Sequence, residues 1–225
     1  MSTVRAATDR EVDVFTRLFA DEPQLATYSE PARRLLAVAA ALFHRQGAAA
    51  TSIRDITTVC RLTPGAFYRH FASKDDALDA IVTLGHARME SRVGQALAEA
   101  GGEPRARLAA FIGAYVTGHL EQPELAQVVR REYLHLSPQR HRAVVARRRA
   151  LRTQLADLLA DGIAAGQLNL PGDAADHTRV AVMMLDMCSR TSDWYHADSE
   201  QTPQQMTQLY VTAALRLAGA AATPQ

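Results

Sequence analysis

A chain of 225 residues with 25 Lys and Arg against 24 Asp and Glu has a formal net charge of +1, a balance that taken whole argues against a nucleic-acid binder. Its 48% apolar and 6% aromatic content, with Ala and Leu dominating over β-branched residues, favours an all-helical globule over strands or disorder, in one large domain or two small ones. No segment approaches the ~20 apolar residues of a membrane span, the N-terminus lacks a signal peptide's apolar run, and two cysteines, Cys60 and Cys188, are too few for a disulfide framework or a metal site; a cytosolic protein with no metal and no cofactor is expected.

The charge is unevenly distributed. Residues 2–30 hold three basic and six acidic side chains, whereas residues 31–74 hold seven basic and one acidic, and Lys74, the chain's lone lysine, closes that basic stretch. A basic module fused to a near-neutral body is the implication.

In chain order, residues 1–30 form an acidic arm, largely loosely held, in which Val12, Val14, Phe15, Leu18 and Phe19 suggest a short amphipathic helix near 11–20. Ser29-Glu30-Pro31 starts a helix whose apolar residues Leu35, Leu36, Ala39, Leu42 and Phe43 recur until Gly47. Thr51-Ser52-Ile53-Arg54-Asp55 places a hydroxyl three residues before a carboxylate, opening a short helix with Ile53, Ile56 and Cys60 on its apolar face. Thr63-Pro64 supplies an N-cap and a first-turn proline for a third helix through Phe71, with Phe67 and Phe71 turned inward. Ser73 and Asp76 form a second capping box, opening a long helix to about Ala100, and Pro and Gly punctuate further helices near 104–121, 123–136, 138–165, 173–195 and 203–219.

Two short helices joined by a tight turn and backed by a third are the arrangement that places one helix in a DNA major groove. The DNA-facing candidates are Thr51, Ser52, Arg61, Thr63, Pro64, Gly65, Ala66, Tyr68, Arg69, His70 and Lys74. Small residues allow close approach, Tyr68, Arg69 and His70 can donate to phosphates or base edges, and cap hydroxyls mark helix ends that attract phosphate. Lys74 sits in a helix's first turn, where the dipole disfavours a cation unless an anion such as a DNA phosphate is near. A helical bundle with a merely solvated basic face is the bland counterpart.

From Gly47 through Thr51-Ser-Ile-Arg-Asp-Ile56 and Thr63-Pro-Gly-Ala-Phe-Tyr-Arg-His-Phe71-Ala-Ser-Lys74-Asp-Asp-Ala-Leu78, the chain resembles the N-terminal signature of TetR-family transcriptional regulators. The resemblance covers about Arg34 to Val82. It implies an all-α protein with a helix-turn-helix DNA-binding domain at 31–77, a ligand-binding and dimerisation domain at 78–219, and a tail at 220–225, working as a homodimer on palindromic operator DNA. It also makes Thr63, Gly65, Ala66, Tyr68, Arg69 and Lys74 DNA contacts. Arg61 stands where the family usually has Gly in the turn, which implies a left-handed Arg or an altered turn.

A second resemblance rests on Arg131-Glu132-Tyr133-Leu134, Ser137-Pro138, Gly162-Ile-Ala-Ala-Gly166, Asp193-Trp194-Tyr195-His196-Ala197-Asp198 and Tyr210-Val-Thr-Ala-Ala-Leu-Arg216, and points to a TetR branch of lipid and sterol catabolism. That branch implies an acyl-CoA thioester as effector, supported by Arg190 and Trp194, which share a helix face one turn apart. A core Trp beside an interface Arg is the structural counterpart. Tyr115, His119, Tyr133, Met183, Met184 and Met187 are further ligand-binding candidates, although a methionine stripe is often plain core. The acid-free run Arg140, Arg142, Arg147, Arg148, Arg149 and Arg152 reads as a CoA-phosphate site or a solvated face, and Val180, Leu185, Met206, Leu209, Tyr210, Ala213 and Leu217 as the dimer seam.

The reading reached is a non-enzymatic, ligand-responsive repressor released by a small apolar or acyl-CoA-type effector. Its alternatives are a multidrug-sensing efflux-pump regulator, a non-specific architectural DNA binder, and a helical enzyme using His119, His135 and His141 or Asp193, His196 and Asp198, sets without a recognised metal or nucleophile–base spacing.

Overall fold

The computed structural model describes residues 9–20, 22–195 and 199–220, all helix, turn or coil. The expected contribution of His196 and Asp198, the outer arm at 1–8 and the end of the tail lie outside the described residues. Among the described residues eleven α-helices follow in order: α1 Asp9–Ala20, α2 Glu30–Gln46, α3 Ile53–Val59, α4 Pro64–Phe67, α5 Lys74–Glu99, α6 Pro104–Glu121, α7 Pro123–Glu132, α8 Pro138–Ala164, α9 Ala174–Ser189, α10 Thr191–Trp194 and α11 Pro203–Leu217. They form two compact units. One contains residues 1–86 and 127–144, the other 87–126 and 145–225, so α5, α7 and α8 each contribute to both.

In the first unit α2 is the central post. Its residues 35–43 are all buried, because α1 and α3 pack against it and its alanines leave room for close approach. The loose arm expected ahead of α2 is instead anchored: Phe15 and Phe19 of α1 are fully buried and Glu11 pairs with Arg45 at 3.5 Å. Burying two phenylalanines contributes ~3–6 kcal/mol, enough to order a helix of three turns. Ser29 caps α2 through the Ala32 N–H at 3.4 Å, and Tyr28 stacks on Phe71, 5.8 Å between ring centres.

In the second unit α6 is central, packed against α9, α10 and α11. Leu108, Phe111, Ile112 and Val116 of α6 meet Val93 and Leu97 of α5, Leu155 and Leu159 of α8, and Met184 and Cys188 of α9 in one apolar core. A Cβ at Gly118 would lie 2.8 Å from the Met89 methyl, so glycine permits this approach of α5 to α6. Burial pushes the Cys188 thiol up to about 12 and the Cys60 thiol to about 11. Leu209, Met183 and Leu217 are exposed on α9 and α11, whereas Met206, read from the sequence as part of the dimer seam, is buried within the protomer as a member of this apolar core. The helix expected over 123–136 becomes α7 plus a short 3-10 turn at Tyr133–His135, and that over 173–195 breaks at Arg190 into α9 and α10.

Candidate DNA-binding surface and effector residues

The short α3 is fixed at both ends. Ser52, rather than Thr51, is its cap: the Asp55 N–H donates to Ser52 Oγ at 3.1 Å and the Ser52 N–H to Asp55 Oδ2 at 2.8 Å. At its far end the Leu62 N–H donates to the Thr57 carbonyl at 2.8 Å and the Arg61 N–H to the Thr58 carbonyl at 3.1 Å, the paired bonds of a Schellman ending. The left-handed position of that ending is Arg61, at φ 57°. Thr63 then leads into Pro64, and α4 ends at Phe67, earlier than the helix expected through Phe71, with a turn continuing to His70. Phe67 is fully buried against Phe71, 5.5 Å between centres, which fixes the orientation of the turn. Arg61, Thr63, Pro64, Gly65, Tyr68 and Arg69 are therefore exposed, Tyr68 to 58% of its surface. Ala66 and His70 are half-buried, and His70 Nδ1 lies 3.5 Å from the Ser29 hydroxyl.

Two sequence candidates are engaged inward. Thr51 is buried and its hydroxyl donates to the Gly47 carbonyl at 2.8 Å. Lys74 Nζ donates to the Ala48 carbonyl and to the Thr51 carbonyl, the latter at 2.6 Å. The negative ends of two peptide dipoles thus provide the compensation for a first-turn cation that the sequence reading assigned to a phosphate. Ser73 does cap α5, accepting from the Asp76 N–H at 3.1 Å, and its hydroxyl donates back to Asp76 Oδ2 at 3.0 Å.

Sequence reasoning missed the residues that join 127–144 to this unit. Glu132 at the end of α7 is buried, and its Oε2 accepts from the Ala48 N–H at 2.7 Å; Gln127 lies 3.1 Å from His44 Nε2. Arg140 of α8 pairs with Asp75 at 2.6 Å, with Asp76, and with Asp79 at 3.5 Å, while the Ser137 N–H donates to Asp75 at 3.0 Å. The hydrogen bond from Arg140 is the main cause that holds the Asp76 carboxyl below its ordinary range. A hydrophobic pattern cannot announce bonds made across more than sixty residues; the acid triplet Asp75, Asp76, Asp79 at helical spacing was the available signal.

The effector candidates divide. Tyr115 and His119 of α6 lie 4.6 Å apart between ring centres at a tilt of 47°, His119 Nδ1 donates to the Tyr115 carbonyl at 2.8 Å, and Tyr115 and Met187 pack against the core that includes Met184. Burial raises the Tyr115 phenol well above its ordinary range, against the pull of Arg148. Met183, Arg190 and Trp194 fall on the outward stripe of α9 and α10, and Trp194 is 48% exposed; a one-position step turns Met183 about 100° from Met184. Arg190 lies 3.6 Å from Asp193. Tyr133 stacks on His141 at 5.5 Å and belongs to the first unit, apart from Tyr115 and His119.

Residues 35–81 match the family described as bacterial regulatory proteins of the tetR family, and residues 101–218, more than half of the chain, match the Tetracyclin repressor-like C-terminal domain. The chain belongs to the TetR family. It is an all-helical TetR-type regulator, with a helix-turn-helix for DNA binding followed by the family's C-terminal domain. Among relatives, the HTH-type transcriptional repressor Rv3405c of Mycobacterium tuberculosis is 31% identical over 137 residues, 56% of this chain and 66%, just under two thirds, of that one. A tetR-family regulatory protein from Rhodococcus RHA1 superposes with a TM-score of 0.78 at 28% identity, over 86% of this chain and all of that one. The ketosteroid transcriptional regulator KstR2 of Mycobacterium tuberculosis superposes with a TM-score of 0.74 at 25% identity, over 84% and 95% of the two chains. Within the TetR frame α3 and α4 are the helix-turn-helix, and α1 lies ahead of the matched segment. Among the described residues no helix is long and apolar enough to cross a membrane.

Proposed function

We propose that the chain is a repressor that binds a palindromic operator as a homodimer and releases it when a small apolar or acyl-CoA-type effector binds. The observation that carries the DNA-binding part is the exposed row Arg61, Thr63, Pro64, Gly65, Tyr68 and Arg69, held outward by the Schellman ending of α3 and the buried Phe67. Small residues at the start of α4 admit the backbone to the groove, and Tyr68 and Arg69 supply donors to phosphate and base. Two copies would present their α4 turns ~34–36 Å apart, one DNA turn. The exposed apolar side chains Met183, Trp194, Leu209 and Leu217 on α9, α10 and α11 support a second copy covering this face.

The effector reading rests on the second unit's interior. Among the described residues its buried polar side chains are His119, which lies against Tyr115, and Ser189, Thr191 and Ser192, whose hydroxyls donate to carbonyls of their own turns; none is acidic, which suits an apolar or anionic molecule better than a lipophilic cation. KstR2, named a ketosteroid regulator, is the relative in keeping with such a molecule. Selecting duplexes from a random library with the wild-type protein tests the DNA reading: a palindrome should be enriched, and its affinity should fall steeply with salt. Titrating that complex with an acyl-CoA and with a cationic dye tests the effector, which should be the former; dissociation by the dye alone would assign the efflux-regulator alternative.

A further inference from the structure

The connection from α2 to α3, residues 47–52, is held on both sides of a single residue. The Ala48 carbonyl is taken by Lys74 at the start of α5, and the Ala48 N–H by the Glu132 carboxylate, 84 positions away at the end of α7. Glu132 keeps only 8% of its side-chain surface, and its carboxylate packs against Gly47, whose φ of 83° rather than any shortage of space calls for glycine at the start of the connection. A carboxylate so enclosed is unfavourable without a donor; the Ala48 N–H donates to it at 2.7 Å, and His135 Nε2, on the following turn, stands 3.9 Å from the same oxygen. α3 and α4 are too short to hold their own position, since helices of one or two turns are not stable alone. Their place is set by where the connection delivers the Ser52 cap and by the contacts of Ile56 and Phe67.

We propose that Glu132 is a positioning residue for DNA recognition: by fixing the Ala48 peptide opposite Lys74 it sets the register at which α3, and through the Arg61 turn α4, meets the groove. The proposal rests on the DNA-binding reading above. It makes the DNA reader depend on α7, a helix whose first turn, residues 123–126, belongs to the second unit.

Two measurements test it. Amide hydrogen exchange on the full-length protein should show Ala48 protected in the wild type and exchanging at least tenfold faster in Glu132→Ala. Binding of the library-selected duplex and of a scrambled duplex at one salt concentration should show Glu132→Ala losing tenfold or more on the selected sequence and under twofold on the scrambled one, because groove register carries sequence discrimination while phosphate attraction does not. Glu132→Gln, whose amide oxygen still accepts from Ala48, should stay within threefold of the wild type on both. A purely structural role would instead lower the melting temperature and weaken both duplexes alike. The proposal is overturned if wild-type Ala48 exchanges as fast as the exposed Ala49 and Ala50, if folded Glu132→Ala keeps wild-type discrimination, or if Glu132→Gln loses as much as Glu132→Ala. Should Glu132→Ala not fold, the wild-type exchange and the Gln variant still decide. Failure of the wild type to enrich any duplex would instead defeat the DNA-binding reading, with the Ala48 bond still verified or refuted by exchange.

Discussion

Replacing Arg61 by Gly should make the protein more stable and its DNA binding weaker. Arg61 occupies the left-handed position of the α3 ending at φ 57°, where a side chain beyond Cα costs about 1–2 kcal/mol. Glycine removes that strain but adds freedom to the unfolded chain, worth about 0.4–1 kcal/mol in the opposite direction. The net gain is ~0.5–1 kcal/mol, which for a chain of this size raises the melting temperature by roughly 1–4 °C. Arg61→Ala keeps the Cβ and should gain nothing, so the difference between the two variants isolates the strain. Both lose the same cation, and if Arg61 meets a phosphate both should flatten the slope of log affinity against log salt by about 0.9. Thermal melts of the three proteins, with salt titrations of duplex binding, read both effects. A Gly variant no more stable than the Ala variant would refute the strain argument, and unchanged salt slopes would remove Arg61 from the DNA contacts.

Truncating Phe15 to Ala should cost ~3–5 kcal/mol and uncover one side of α2, seen as a large drop in the denaturant midpoint; a loss below 1 kcal/mol would mean that α1 is dispensable. The Arg140 pairing lowers the Asp76 carboxyl, so the stability it contributes is present above the ordinary carboxylate range near pH 4 and is lost as pH falls through the depressed value. Arg140→Leu should therefore lower the melting temperature at pH 7, with a deficit that shrinks as the pH falls below the ordinary carboxylate range; a deficit that does not shrink would reject the linkage. Both thiols should stay protonated and react slowly with a thiol reagent at pH 8 until the chain is unfolded, given their upward shifts, and rapid labelling of the native protein would contradict their burial. Met183→Glu with Leu209→Glu should yield monomers in sedimentation if α9 and α11 form the dimer face, and an unchanged mass would move that interface elsewhere.

What the sequence made legible was whatever is settled within one or two helical turns. The Ser52–Asp55 box, the Pro64 start, the Ser73 cap and the inward Phe67 and Phe71 are local chemistry, whereas at Arg61 the resemblance left a left-handed residue or an altered turn open and the structure takes the first. Where α4 stops was not legible, because a four-residue helix and a two-turn helix share the same start signals. Lys74 was noticed for a sound electrostatic reason, but its partners are backbone carbonyls that no residue type encodes. The methionines at 183, 184 and 187 looked alike as composition and separate only once the helix phase about the core is known. Met206 and Glu132 show the same limit at long range, since the neighbour that buries each lies far away in sequence.

The alanine run of α2 has a consequence for how the chain can vary. Ala37, Ala39, Ala40 and Ala41 have essentially no exposed surface, so the helices around α2 are spaced almost by backbone alone. Long side chains can swivel to absorb a neighbour's change; a methyl group cannot. One added carbon at these positions would be transmitted as a displacement of whatever packs there. Variation that retunes the DNA sequence recognised is thus channelled to the outer residues of α4, while the post behind it keeps a fixed gauge.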